Sequence, residues 1–352
     1  MRGYVLHGRG DASFGEIQVP PLGPYDALVR TTAVATCTTD VHMINAAPYP
    51  NAIGKPLGHE GVGVVEKVGD LVRDFTPGDR VILSAGGADW RIPQAQRGEA
   101  KYYPNNMPYF SEDPLQGGVF AEYVRALDAD MSMAPIPDGV SDEQALMVPD
   151  MVATAFTGVE RMQIEFGDIV AVLGVGPVGL MGVAGAALKG ASRIIVIGSR
   201  PKTLDLARRY GATDVIDYKQ GPVVDQVLAL TGGVPVDSVL VASGGSASDQ
   251  FTAAFRIVKP GGHIANVSLY YEDTVTLPMD ALSYGGIEKF FTGVFVQTGR
   301  EFYTRLLRLI EQNRLDPTGL ITHRFDGWDE LPEALDLMRS RNPDVIKPIV
   351  TV

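Results

Sequence analysis

The chain has 352 residues, more than the ~100–200 residues of an ordinary domain, so its length predicts two domains. Hydrophobic residues make up 45% and charged residues 20%, as in folded proteins, and the net charge of −12 argues against a nucleic-acid-binding surface. The single cysteine excludes an intrachain disulfide and fits the reducing cytoplasm.

The first part of the chain predicts a mostly-β domain. It shows no secretory signal and contains short β-like runs, such as Gly61 to Val68 and Arg80 to Leu83, between turn residues. Residues 84–118 break this rhythm with glycines, prolines and interleaved aromatic residues. A loop of this length is uncommon in a compact domain and is often functional.

After Asp150, strands alternate with helices. The predicted strands are Ile169–Leu173, Arg193–Ile197, Asp214–Asp217, Ser238–Ala242 and Gly262–Val267. The predicted helices follow the first four strands: one runs to Lys189, and the others are Thr203–Tyr210, Pro222–Leu230 and Ala247–Val258. This alternation predicts βαβ units and a parallel sheet. The most apolar stretch, residues 169–188, is interrupted by glycine and proline, so we do not expect it to span a membrane.

A glycine-rich turn joins the first of these strands to its helix. Its residues are Gly174, Val175, Gly176, Pro177, Val178 and Gly179. In this context the first glycine makes the tight turn, the second admits a pyrophosphate, and the third permits close packing of helix and strand. The helix N-terminus favours the anion. The alternative is a glycine-rich turn without a ligand, but the strand–turn–helix context favours dinucleotide binding.

The end of the second strand distinguishes between the two nicotinamide cofactors. Proteins that bind NAD usually carry a carboxylate there, whereas this strand ends in Gly198, Ser199 and Arg200. An arginine can bind a 2′-phosphate through two hydrogen bonds, and Tyr218 can stack on it or bind the same phosphate. The residues therefore predict NADP, with a solvated loop charge as the alternative reading of Arg200.

Four residues carry side chains that zinc accepts as ligands: Cys37, His59, Glu60 and Asp150. Each also has an ordinary structural explanation. The cysteine can be a small buried hydrophobe, the histidine a core residue, the glutamate a solvated charge, and the aspartate the N-cap of a helix-like run from Met151 to Val159. Their spacing alone does not decide between these explanations.

The surrounding motifs resemble the zinc-containing alcohol dehydrogenases of the medium-chain superfamily. The principal motifs are Gly58-His59-Glu60-Gly61-Val62-Gly63 with Gly69 and Val72, Cys37-Thr38-Thr39-Asp40-Val41-His42, and Pro77-Gly78-Asp79-Arg80-Val81. Further motifs narrow the resemblance, which spans the whole chain, to the tetrameric NADP-dependent secondary alcohol dehydrogenases of anaerobic thermophiles and clostridia. These are Asp89-Trp90, Gly118-Val119-Phe120, Val148-Pro149-Asp150-Met151 and Gly198-Ser199-Arg200.

The resemblance implies an α/β architecture with a GroES-like, mostly-β catalytic domain over residues 1–152. A doubly wound Rossmann domain over residues 153–294 binds NADP(H). The segment 295–352, with a predicted helix Glu301–Glu311 and the apolar run Ile346–Val352, returns to the catalytic domain. The implied partner is a small alcohol or ketone, and the implied assembly is a homotetramer.

By the same resemblance, Cys37, His59 and Asp150 bind one catalytic zinc, and Glu60 is a fourth ligand that yields to water or substrate. Many relatives hold a second, structural zinc on four cysteines of the long loop. The loop 84–118 contains no cysteine, so we expect no such site.

The resemblance also assigns a proton relay. Thr39 takes the proton of the alcohol through its hydroxyl, where the subfamily usually has serine, and His42 passes it towards solvent. A solvated or supporting role is the alternative for His42.

Further residues of the substrate and cofactor sites follow from the resemblance. The end of the fifth predicted strand, Ala265, Asn266 and Val267, contacts the cofactor. The substrate pocket is assigned to Ala85, Gly86, Phe110, Val294 and Phe295. Glycine and phenylalanine replace bulkier residues of the relatives at positions 86 and 110, which predicts a pocket open to bulkier ketones.

Three other functions remain open at this point. A polyol- or aldehyde-selective zinc dehydrogenase shares the fold, although typical polyol enzymes favour NAD. A zinc-free quinone or enoyl reductase also shares it, and the four metal-ligand residues argue against that reading. A non-catalytic NADPH-binding protein is the alternative from a different class, since fold alone does not establish function.

Overall fold

The computed structural model describes residues 1–46, 49–84, 92–97, 101, 111–283 and 287–352. The chain divides into two compact units, one formed by Met1–Ala153 with Gln297–Val352 and the other by Thr154–Val296. In the described part of the chain, no helix is both long and apolar enough to cross a membrane.

The strands of the described residues are, in chain order, β1 (Arg2–Gly8), β2 (Asp11–Glu16), β3 (Ala27–Ala35), β4 (Gly61–Val68), β5 (Arg80–Leu83), β6 (Tyr123–Ala126), β7 (Ala134–Pro135), β8 (Ile169–Leu173), β9 (Arg193–Gly198), β10 (Asp214–Asp217), β11 (Val236–Val241), β12 (Val258–Asn266), β13 (Phe290–Gly293), β14 (Ile321–Asp326) and β15 (Lys347–Thr351). The helices are α1 (Thr38–Ala46), α2 (Pro93–Gln96), α3 (Ala129–Ser132), α4 (Asp142–Leu146), α5 (Ala153–Arg161), α6 (Pro177–Lys189), α7 (Pro201–Arg209), α8 (Val223–Leu230), α9 (Ala247–Ile257), α10 (Met279–Leu282), α11 (Arg300–Glu311) and α12 (Leu331–Arg339).

The first unit is built on a seven-stranded sheet in the order β14-β15-β3-β4-β5-β7, with β6 also paired to β3. The central strand β3 runs antiparallel to both β4 and β15, with Val34 opposite Gly61 and Ala35 opposite Ile349. The end of β3 therefore meets the beginnings of β4 and β15. This register places residues from three distant parts of the sequence at one edge of the unit.

The second unit contains a parallel sheet of six strands in the order β10-β9-β8-β11-β12-β13. Numbered within the unit this order is 3-2-1-4-5-6, that of a doubly wound dinucleotide-binding fold, and it reverses between β8 and β11. Helix α6 begins with Pro177 directly after Gly176 and ends at Lys189, and Gly190 caps it with a φ of +91° in the left-handed region. The predicted fold class is confirmed.

Several local predictions differ from the structure. Helix α7 begins at Pro201, two residues before the predicted start at Thr203, because proline suits the first helical position. Pro222, the predicted first residue of the next helix, is instead the N-cap residue that precedes α8. Strand β12 begins at Val258, four residues before the predicted start. Strand β13 was not predicted, since its short Phe-Phe sequence shows no alternation and the strand depends on pairing with β12. Asp150 is not an N-cap, because it lies inside a π-helical turn, Val148–Val152, that precedes α5.

Candidate active site

The four metal-ligand candidates converge within the first unit. Their ligand atoms all lie within 4.8 Å of one another. Cys37 follows β3, while His59 and Glu60 directly precede β4, so the antiparallel pairing of the two strands brings them together. The π-helical turn supplies Asp150.

The distances within this cluster suit a zinc ion. The Nε2 atom of His59 lies 3.6 Å from Oε1 of Glu60 and 3.7 Å from Oδ2 of Asp150. The Sγ atom of Cys37 lies 3.9 Å from the same Oδ2. Ligand atoms on a tetrahedral zinc ion are about 3.3–3.8 Å apart, given usual zinc–ligand bonds of about 2.0–2.3 Å. The residues present therefore fit a tetrahedral site of mixed S, N and O ligands.

Asp40 organises two of the ligands, a role that the sequence analysis missed. Its fully buried carboxylate accepts a hydrogen bond from the backbone N–H of Cys37 at 2.9 Å. Its other oxygen lies 3.2 Å from Nδ1 of His59. A proton on Nδ1 leaves the lone pair of Nε2 for a metal, which is the usual carboxylate–histidine arrangement of metal sites. The spacing between Asp40 and His59 carries no signal of this contact.

Lys347 is the second residue that the sequence analysis missed. It is the first residue of β15, and its side chain is only 1% exposed. Its Nζ donates hydrogen bonds to Oε1 of Glu60 at 2.8 Å and to the carbonyl of Thr36 at 3.1 Å. The one available signal was a lysine next to Ile346 in an otherwise apolar run.

The charges in the cluster shift one another's proton affinities. Burial raises the pKa of Glu60 to about 7, although the neighbouring Lys347 opposes this rise. Burial likewise raises the pKa of the Cys37 thiol. Burial alone would also raise the pKa of Asp150, but the hydrogen bond and charge of His59 hold it well below its usual range. A bound cation would stabilise the charged form of all three acids.

The second unit contains a cavity of about 820 Å³ where its strand order reverses. Residues that follow the carboxyl ends of β8, β9 and β11 line it, which is where doubly wound folds bind their ligands. Among the described residues, the predicted cofactor contacts on its wall are Gly174, Val175, Gly176, Gly198, Ser199, Arg200 and Tyr218. Its described lining does not include Ala265, Asn266 or Val267.

The three glycines of the turn have the geometry that phosphate binding requires. Gly174 has a φ of +107°, and a Cβ on it would lie 2.4 Å from the carbonyl oxygen of Ala242. A Cβ on Gly179 would lie 2.1 Å from the carbonyl oxygen of Gly174, whereas one on Gly176 would meet no protein atom within 4 Å. The first and third glycines therefore permit the tight packing, and the second leaves space for a ligand.

The end of β9 carries no carboxylate of the kind typical of NAD sites. A Cβ on Gly198 would lie 2.3 Å from Cγ2 of Val175, so a larger residue there would require the Val175 side chain to move. Arg200 follows on the cavity wall, and its guanidinium donates a hydrogen bond to the Val175 carbonyl at 3.1 Å. Burial lowers the pKa of Arg200, and Tyr218 partly offsets this effect. The wall thus presents a fixed cation and no carboxylate at the end of the second strand.

Comparisons with known proteins agree with both sites. Residues 23–138 match the model of the alcohol dehydrogenase GroES-like domain, and residues 177–312 match that of the zinc-binding dehydrogenases. An NADP-dependent isopropanol dehydrogenase of Thermoanaerobacter brockii is 44% identical over 99% of both chains, and one of Clostridium beijerinckii is 40% identical over 99% of both.

This chain belongs to the zinc-dependent medium-chain alcohol dehydrogenases. The predicted family is therefore confirmed, and the chain is an oxidoreductase. Among solved structures, an alcohol dehydrogenase from Thermus sp. ATN1 superposes with a TM-score of 0.89 at 29% identity, covering 100% of both chains. The zinc that this family binds fits the cluster of Cys37, His59, Glu60 and Asp150.

The remaining predicted residues of this alcohol dehydrogenase fall into three groups. Thr39 and His42 are both half-buried on α1, and their three-residue spacing places them on one face of the helix. Ala85, Gly86 and Phe110 lie outside the described residues. In the second unit, Val294 donates its N–H to the Asn266 carbonyl at 2.8 Å, and the Phe295 side chain is 39% exposed.

Proposed function

We propose that this enzyme interconverts secondary alcohols and ketones by hydride transfer with NADP(H), at a site that holds one zinc ion. The observation that carries the proposal is the cluster of Cys37, His59, Glu60 and Asp150, whose ligand atoms all lie within 4.8 Å of one another. The full-length similarity to NADP-dependent isopropanol dehydrogenases supports the substrate class and the cofactor.

Cys37, His59 and Asp150 are the proposed permanent zinc ligands, and Glu60 is the proposed displaceable one. When bound, zinc polarises the substrate oxygen as a Lewis acid. Asp40 orients the His59 ring so that Nε2 faces the other ligands. The Thr39 hydroxyl receives the proton that leaves the alcohol, and His42, on the same face of α1, passes it on.

The cavity of the second unit is the proposed site of NADP(H). Backbone N–H groups at Gly176 and the start of α6 bind the pyrophosphate. Arg200 binds the 2′-phosphate through its guanidinium, with the Ser199 hydroxyl as a second donor and Tyr218 beside them. Ala265, Asn266 and Val267 remain proposed contacts of the cofactor. Catalysis further requires the protein to orient the nicotinamide towards the substrate carbon.

We also propose that the protein is a homotetramer in the cytoplasm. Among the described strands, β13 ends the parallel sheet, and its Phe290 and Phe291 side chains are 51% and 42% exposed. An apolar edge strand of this kind can pair with that of a second copy across a two-fold axis. Light scattering coupled to size-exclusion chromatography tests the mass. A monomer at micromolar concentration would refute this part of the proposal.

Cofactor oxidation assays test the activity. Oxidation of NADPH and of NADH is followed with 2-butanone, acetophenone and butanal as substrates. Each rate is measured on the untreated enzyme, after a chelator has removed the metal, and after zinc has been added back. We expect chelator-sensitive, zinc-restored activity that prefers NADPH and ketones. Preference for butanal or for NADH would favour an aldehyde- or polyol-selective enzyme. Activity that survives complete metal removal would refute the assignment of the zinc ligands.

A further inference from the structure

Lys347 occupies an unusual position for a lysine. It lies at the start of β15, and its side chain is 1% exposed. The two recorded hydrogen bonds of its Nζ go to Oε1 of Glu60, in the metal-ligand cluster, and to the carbonyl of Thr36, next to Cys37. Lysine is almost never fully buried unless it is paired, because a buried charge costs several kcal/mol of desolvation. The pairing with Glu60, which is also fully buried, therefore constrains where both side chains lie.

The two carboxylate oxygens of Glu60 have different environments. Oε1 accepts the hydrogen bond from Lys347 at 2.8 Å and also lies 3.6 Å from Nε2 of His59, a ligand atom of the cluster. Oε2 is buried and has no hydrogen-bond partner among the described residues. A carboxylate oxygen can accept two partners, so Oε1 faces both the lysine and a ligand atom of the cluster. A hydrogen bond from an ammonium group weakens such an oxygen as a donor to a cation.

The formal charges of the metal-ligand cluster also point to Lys347. Cys37, Glu60 and Asp150 supply three anionic ligands once a metal has displaced the thiol proton, whereas a zinc ion carries two positive charges. For the four ligands and the ion alone, the excess negative charge is one, and the buried ammonium group of Lys347 offsets it. Without that charge, a cation in the cluster would attract Glu60 more strongly.

We propose that Lys347 is a positioning residue, which holds Oε1 of Glu60 and so keeps this carboxylate a weak, displaceable ligand of the metal. The inference rests on the zinc site of the proposed function and deepens it. A displaceable ligand is needed because catalysis requires a coordination position that substrate can enter. The structure thus assigns the ease of that displacement to a residue that touches neither substrate nor cofactor in the proposal.

The test measures how easily a neutral ligand displaces Glu60. The enzyme is loaded with Co²⁺, and imidazole is titrated at pH 8 while the visible absorption of the cobalt is followed. The variants are K347M, K347R, E60Q and E60Q/K347M. Zinc affinity is measured in parallel by competition with a chelator, with neither alcohol nor nucleotide present, so neither readout needs catalysis.

In K347M we expect imidazole to bind at least about tenfold more weakly than in the wild type, because Glu60 then holds the metal more firmly. Zinc should bind at least about tenfold more tightly. K347R keeps the charge and should stay within about threefold of the wild type on both measures. Imidazole binding should differ less than about threefold between E60Q and E60Q/K347M, since the lysine acts through the glutamate.

The proposal would be overturned if K347M bound imidazole as tightly as the wild type does. It would also be overturned if replacing Lys347 weakened imidazole binding as much in the E60Q background as in the wild type. Weaker zinc binding in K347M would overturn it too, because that result indicates that the lysine merely supports the fold. If K347M does not fold, K347Q removes the charge while keeping a donor, and the same expectations apply. Wild-type enzyme that binds Co²⁺ through Cys37 but oxidises no secondary alcohol would refute the proposed function alone. Absence of a thiolate–cobalt absorption band would overturn both.

Discussion

Replacing Arg200 by methionine should weaken the use of NADP⁺ while leaving that of NAD⁺ intact. The guanidinium lies on the cavity wall, held by the Val175 carbonyl at 3.1 Å, so little side-chain entropy remains to be lost when a phosphate binds. A hydrogen bond to a charged group contributes about 1.5–3 kcal/mol net. R200M should therefore lower kcat/KM for NADP⁺ by roughly 10- to 150-fold.

The assay compares initial rates of 2-butanol oxidation with NADP⁺ and with NAD⁺ at fixed ionic strength. Lys202 provides a matched control, because it lies two residues away but is exposed and outside the described lining of the cavity. K202M removes the same charge and should change kcat/KM for NADP⁺ by less than about threefold, since exposed charges are screened.

Two results would contradict this reasoning. If R200M reduced kcat/KM equally for both cofactors, Arg200 would support the cavity rather than recognise the 2′-phosphate. If K202M matched R200M, the preference would come from the general potential of the surface and not from a placed guanidinium.

Three further predictions concern other parts of the molecule. D40N should weaken zinc binding by about 10–100-fold in a competition with a chelator, because Asp40 contacts two of the ligands. D79N alters an exposed turn and serves as the control. If D40N and D79N bound zinc with equal affinity, Asp40 would have no role in the metal site. Arg193 lowers the pKa of Asp214 through its hydrogen bond, so this pair stabilises the fold above the usual aspartate pKa of about 3.9 and loses that effect as the pH falls through the lower folded value. D214N should thus lower the melting temperature by about 2 °C at pH 7 and by less at pH 3, and a gap that widens in acid would refute the assignment. G86I should reduce turnover of acetophenone relative to 2-butanone by about tenfold or more with KM for NADPH unchanged, and an unaltered ratio would exclude position 86 from the pocket.

The sequence by itself determined the features whose physical basis is local. Local spacing along the chain is enough to predict the glycine-rich turn with its flanking strand and helix, and the lack of a carboxylate after β9. These residues are neighbours in sequence, so their order determines how they are arranged in space. The four metal-ligand candidates came from residue chemistry, and the surrounding motifs raised them above ordinary structural explanations. The sequence shows glycine at position 198, but only the structure shows that a Cβ there would lie 2.3 Å from Cγ2 of Val175.

Only the tertiary structure decided which buried charges meet. Asp40 reaches His59 because β3 and β4 are antiparallel neighbours, and Lys347 reaches Glu60 across 287 positions because β15 pairs with the other edge of β3. Sheet register sets such contacts, and no local pattern encodes which strand a distant segment will join. Buried ionic groups need partners, so a lysine in an apolar strand signals that a partner exists. The fold alone identifies that partner as Glu60, one of the four metal-ligand candidates.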